Sequence, residues 1–213
     1  MGGLFGSVSK QDCVNDLFYG TDYHSHLGTK RGGLAVKNSK EFTRSIHNIE
    51  NDYFRSKFES DLPKLKGNKG IGVISDNDSQ PLIIGSHLGT FAIVTVGKIV
   101  NIEELVAKAF SDKLHFSETT GGITNPTELA AMLICGKGSY EEGIENAQNS
   151  LKVHVQCFCL QKKGFLLQGT DWAEPLLPLE KKKVRMQYLL KHAHFLILDT
   201  MLKNILGRGR LSF

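Results

Sequence analysis

Short apolar runs and stretches of helical spacing follow one another along most of this chain. The first run, GGLFGSV, predicts a strand close to the first residue. In SKQDCVNDLFYGTDYHSHLG, Val14, Leu17 and Phe18 share one helical face, with Ser9 placed to cap the helix and Gly28 to end it. GGLAV predicts a second strand, and NIENDYFRSKFESDL an exposed, charged helix ahead of Pro63. GIGVIS, PLIIG and TFAIVTVG are β-rich runs separated by turn residues. Three helices follow, each opened by the same device: Asn101 with Glu104, Asn125 with Glu128 after Pro126, and Ser139 with Glu142. A capping side chain and a Glu three residues later satisfy each other's free backbone donors. This order describes an α+β domain with sheets between helices. No internal repeat is present.

Composition narrows the class. The chain has 213 residues, 40% hydrophobic and 23% charged, enough for one domain with a sizeable core and a tail. No apolar run approaches the roughly 18 residues needed to span a bilayer. The first residues lack the basic and apolar segments of a secretory leader. Cys13, Cys135, Cys157 and Cys159 are too sparse for a disulfide framework, which points to the cytoplasm. Met1-Gly2 looks like a myristoylation start, but Gly6 stands where that signal needs Ser or Thr.

The net charge of +4 conceals a split. Residues 1–151 carry 15 basic and 18 acidic side chains, a net of −3; residues 152–213 carry 11 and 4, a net of +7. Such a break marks a boundary, so the expected organisation is a folded domain over 1–151 and an aberrant basic tail over 152–213.

Several smaller patterns compete for a function. LEKKKVRMQYLLKHAHFLILDTMLKNIL has the make-up of a basic amphipathic helix for an anionic membrane or nucleic acid. Cys157 and Cys159 with His192 and His194 suggest zinc, but Cys-x-Cys and His-x-His do not match structural zinc spacing. DNDS at 76–79 lacks the Gly and terminal Glu of a calcium loop and reads as a turn. His24 and His26 read as packing or surface residues, and GIG and GKG are too short to argue for phosphate binding. The expectation is no metal, no cofactor, no nucleic acid and no membrane.

GGLFG, HLGTKRGGLAV, GIGVIS, SQPLII, TFAIVTVGKIVNIEEL, TNPTELAAMLI and GSYEEGIENAQ stand in the order and spacing of class II glutamine amidotransferase domains. Residues 1–151 most resemble the N-terminal domain of the amidophosphoribosyltransferases. The resemblance implies an N-terminal-nucleophile fold, a sandwich of two antiparallel sheets between helical layers, here expected to be incomplete. It implies a phosphoribosyltransferase domain as partner, a place in purine synthesis, and allows a homo-oligomer.

The same resemblance shows what the chain lacks. The family needs a thiol at the mature N-terminus, with the chain's own α-amine as base. Gly2 occupies that position and has no side chain; Cys13, on the first predicted helix, offers no substitute. Ser75 stands where the family has an Arg that grips the substrate carboxylate, and a small hydroxyl cannot make a bidentate grip. The oxyanion-hole pair is Val96-Gly97, which keeps the backbone donor and loses the side-chain donor, a loss worth about 3 kcal/mol elsewhere. Pro126 aligns with the Asp that receives the substrate amine, and Leu27, beside His26, with a further Arg. Five concerted replacements imply a domain that keeps its fold and loses glutaminase activity, with a non-catalytic structural or regulatory module as the alternative.

From Lys152 the likeness fails. Reading the tail's permitted codons one nucleotide out of frame yields Gly-Ser-Cys-Ser-Met-Leu-Leu-Leu-Thr-Lys-Lys-Gly-Ile-Phe-Ala-Ala-Arg-Asp, the kind of continuation the family has. The tail is therefore expected to be frame-shifted sequence.

Overall fold

The computed structural model describes residues 2–28, 30–76, 78–117, 119–120, 122–152, 155–161, 164–169 and 184–189. One sheet is built from β1 (Gly3–Val8), β2 (Arg31–Lys37), β3 (Phe42–Asn48), β4 (Lys69–Ser75) and β11 (Val184–Leu189), in the order β11-β1-β4-β2-β3. The second holds β5 (Leu82–Ser86), β6 (Gly89–Gly97), β9 (Val155–Gln161) and β10 (Gly164–Gly169), in the order β10-β9-β6-β5. Every pairing is antiparallel, and β7 (Thr119–Thr120) with β8 (Ile123–Thr124) forms a separate hairpin.

Alternation along the strands makes the layers. Leu4, Ala35, Ile71 and Val73 from the first sheet meet Ala92, Val94, Val96 and Leu160 from the second. The opposite face of the first sheet packs Phe5, Leu34 and Ile74 against Val14, Leu17 and Phe18 of α1 (Val14–Asp22) and Phe54 and Phe58 of α2 (Phe54–Phe58). The outer face of the second sheet packs Phe91, Ile93 and Cys159 against α4 (Pro126–Cys135) and α5 (Tyr140–Ser150). α3 (Ile102–Ser111) rests on α4 from outside. The α+β sandwich read from the sequence is the fold observed.

Several local expectations are corrected. α1 begins at Val14 rather than near Ser9, because Asp12 Oδ1 accepts the Val14 N–H at 3.0 Å. It ends at Asp22, and a 3-10 turn, Ser25–Leu27, precedes an extended Gly28. The charged helix before Pro63 shrinks to five residues, and its two phenylalanines stack inward with ring centroids 4.3 Å apart. Asn101 does not cap α3: its amide donates to Ser150 O and accepts from Lys152 N–H, both at 2.9 Å. Asn125 and Ser139 do cap their helices, but Glu128 turns away to accept the Ser117 N–H.

β3 carries no clean alternation, and no strand is expected there from the sequence. It is the edge of the first sheet, held by a polar latch instead of a buried face. Ser45 Oγ and His47 Nε2 approach Asp61 Oδ2 at 2.5 and 2.6 Å, and Lys64 Nζ lies 3.1 Å from Oδ1. The Ser45 and His47 bonds, in that order, hold the Asp61 carboxyl well below the usual range, so its stabilisation is present above about pH 4 and lost as the pH falls further. Asp61→Ala is expected to cost about 1–2 kcal/mol in denaturant unfolding at pH 7; an unchanged midpoint would remove the latch.

Within the basic tail, β9 lies between β6 and β10, with Cys159 and Leu160 buried, and β11 pairs with β1. Residues 184–189 are therefore strand, not part of an amphipathic helix; the rest of that stretch, with His192 and His194, lies outside the described residues. Cys157 and Cys159 stand with their Sγ atoms 3.7 Å apart. Among the described residues no three His, Cys, Asp or Glu side chains gather to hold a metal, and no helix is long and apolar enough to cross a membrane.

Candidate functional site

The sheet register brings the altered positions together. Gly3 pairs with Ile74 across β1 and β4, so Gly2, one residue earlier, lies opposite Ser75; Ser75 in turn pairs with Arg31 of β2. Alternation puts Gly2, Ser75 and Arg31 in one row on the face toward the second sheet. Val96 closes on the row from above. A Cβ at Gly2 would lie 3.1 Å from Val96 Cγ1 and 2.4 Å from the Ile74 carbonyl oxygen. Gly2, Ser75 and Val96 are all buried. The position that the resemblance assigns to the nucleophile is thus both without a side chain and without room for one.

Gly97 follows with φ of 133°, a conformation reserved for glycine, and its neighbour is fixed by a buried polar network. The β5–β6 ladder begins at Leu82 opposite Ile93, leaving Thr95 without a strand partner on that side. Gln80 takes that place: its Nε2 donates to Thr95 O at 2.9 Å, and its Oε1 accepts the Thr95 N–H at 2.7 Å. Thr95 Oγ1 meets Thr127 Oγ1 at 2.6 Å, and Asn125 Oδ1 accepts the Thr127 N–H at 2.8 Å. This chain ties Val96 and Gly97 to Pro126 at the first position of α4. Asn125 Nδ2 also reaches Ser79 O at 3.4 Å, and a Cβ on Gly33 would lie 1.8 Å from Gln80 O. β2 can carry the Gln80 segment only because residue 33 is glycine.

Leu27 sits half-buried in the 3-10 turn beside the exposed His26, and this turn packs on β4. Cys13 lies at the far end of β1, beside Ser7, roughly 16 Å from Gly2 at strand spacing. Burial first, then Asp12 and Asp16, push its thiol up to about 12, which makes it inert. Near the row, burial pushes the Asp78 carboxyl up against the opposing pull of Arg31. Gln80, Thr95 and Thr127 carry no sequence signal of their own, since glutamine and threonine outside a motif are ordinary surface residues.

No protein-family model matches the chain. The amidophosphoribosyltransferase of Methanocaldococcus jannaschii is 26% identical over 175 residues, covering 75% of this chain and 35% of that protein. The solved glutamine phosphoribosylpyrophosphate amidotransferase of B. subtilis, complexed with ADP and GMP, superposes with a TM-score of 0.69 at 21% identity, covering 78% of this chain and 37% of its own. A structure described as the allosteric regulatory enzyme of purine biosynthesis gives the same values. The chain is a glutamine amidotransferase-like domain. It spans about a third of the length of the relatives it matches. Sequence motifs and fold agree on this amidotransferase-like sandwich, including its two antiparallel sheets.

Proposed function

We propose that this amidotransferase-like domain does not hydrolyse glutamine and serves as a structural module for a phosphoribosyltransferase domain. The observation that carries the reading is at Gly2. Glycine removes the nucleophile, and the Ile74 carbonyl with the Val96 side chain occupies the volume a nucleophile would need. Ser75, Val96 and Pro126 remove the carboxylate grip, the side-chain oxyanion donor and the amine acceptor that the resemblance assigns to those positions. Gly97 keeps its backbone N–H, which alone cannot start the reaction.

The scaffold behind these positions is complete. Thr95 has both backbone groups bonded, and the Thr95–Thr127 contact joins β6 to α4. A chain with no use for the fold would be expected to lose such a network early, because half-satisfied buried polar groups are costly. The transferase partner is supported by the relatives, in which about two-thirds of the chain lies beyond the part matched here.

Purified protein incubated with glutamine is expected to release glutamate at the rate of the buffer alone. Release above that rate, abolished by thiol alkylation, would sink the silent reading and point to one of the four cysteines. We further propose that residues 152–213 are read from a shifted frame. β9 is compatible with this, since a strand asks only for apolar residues at alternate positions and CFCL provides them. Sequencing the coding DNA across codon 152 and beyond tests it: an extra nucleotide there, or the family continuation encoded in the second frame of an unchanged reading, supports the shift, and DNA that holds neither removes it.

A further inference from the structure

His24 is fully buried, and among the described residues neither ring nitrogen has a hydrogen-bond partner. Buried polar groups are nearly always bonded, so an orphan imidazole calls for a reason. Its side chain packs against Gly3: a Cβ there would be 2.7 Å from His24 Cβ and 2.9 Å from Nδ1. The Tyr23 ring stands perpendicular to it, with centroids 5.7 Å apart. His24 thus sits at the junction of α1 with the 3-10 turn and holds both over the first residues of β1.

We propose that His24 is an acid-operated latch, whose neutral ring closes the helical layer over the start of β1 and whose protonation releases that layer and uncovers Gly3. The inference concerns the closure of the fold and stands whether or not glutamine is hydrolysed.

The surroundings favour the neutral ring. β1 carries no ionisable side chain, and β4 carries only Lys69, at the end opposite Val8. Asp76 follows the near end of β4, and Asp22 of α1 is paired with Arg55 at 2.7 Å. Among the described residues His26 acts on the ring, and it opposes protonation. Burial, with His26 second, lowers His24 from 6.5 to about 4. In the opened layer the ring regains its ordinary value. Opening therefore gains as the pH falls below about 6.5, and the gain levels off below about 4. Between pH 8 and pH 5 the ratio of open to closed forms should rise about thirtyfold.

Hydrogen–deuterium exchange of the intact chain, corrected for the intrinsic pH dependence of amide exchange, tests this. Protection over residues 18–27 is expected to fall about thirtyfold from pH 8 to pH 5, while α4 keeps its protection and so does β1, whose amides stay bonded within the sheet. His24→Leu should hold protection constant across that range, and His24→Gln, which cannot titrate, serves if the leucine variant does not fold. Unchanged protection in the wild type, an equal loss in the variants, or a uniform loss over the whole chain would each overturn the latch. An NMR titration of the His24 ring supplies an independent reading: a midpoint near 4 is expected, and one near 6.5 would show the ring already free.

Discussion

Gly2→Cys is expected to destabilise the protein by about 3 kcal/mol, lowering Tm by roughly 6–12 °C, and to leave glutamine hydrolysis at background. The new Cβ would sit 2.4 Å from the Ile74 carbonyl oxygen, a distance that real Cβ atoms do not tolerate. That oxygen belongs to the β4 backbone, which is pinned on both sides by β1 and β2. Relief would require the sheet to part rather than a side chain to turn. Val96→Asn, offered together with Gly2→Cys, would return a side-chain donor but leave the Ile74 carbonyl in place, so the pair should fail as well. Gly85→Ala is the control, since a Cβ there meets nothing within 4 Å. Thermal unfolding with a glutamate assay reads both outcomes. A Gly2→Cys protein that melts within about 2 °C of the parent, below the shift of 1 kcal/mol, and hydrolyses glutamine would mean that only the thiol is missing.

Gln80→Ala should be nearly as damaging for a different reason. Its amide is the partner of both the Thr95 N–H and the Thr95 C=O, and all three groups are buried. Removing it leaves a buried donor and a buried acceptor unpaired, at about 1–3 kcal/mol each. The expected loss is about 3 kcal/mol in denaturant unfolding. Gln80→Glu is a sharper probe. Its carboxylate can still accept from Thr95 N–H, but it turns an oxygen toward Thr95 O, so it should be worse at pH 7 than at pH 4. Because Thr95 also contacts Thr127, the Gln80→Ala and Thr127→Val losses should be non-additive by about 0.5–1 kcal/mol. Strict additivity would break the chain of bonds that links β6 to α4.

The position of these two residues explains what was legible beforehand. Val14, Leu17 and Phe18 announce α1 because helix periodicity reports the face that will be buried, whichever partner buries it. GIGVIS and TFAIVTVG announce β4 and β6 for the same reason, and Asn125 and Ser139 announce their helices because a cap acts within three residues. β3 was illegible because an edge strand held by Asp61 needs no alternation. Asn101 misled because two distant groups, Ser150 O and Lys152 N–H, outbid the local cap.

The sequence by itself determined the α+β class, the apolar faces of the main elements and, through its motifs, the likeness to glutamine amidotransferases. Through that likeness it also pointed to Gly2, Ser75, Val96 and Pro126 as the positions where glutamine chemistry would call for other side chains. The tertiary structure alone decided that Gly2, Ser75 and Val96 meet, that Ile74 and Val96 fill the space above Gly2, and that Gln80 stands in for a strand. It alone placed a buried His24 over Gly3. The division follows from range. Periodicity, capping and residue type act within a few residues and can be read along the chain, whereas register and close packing join residues 2, 75 and 96, which no local pattern connects.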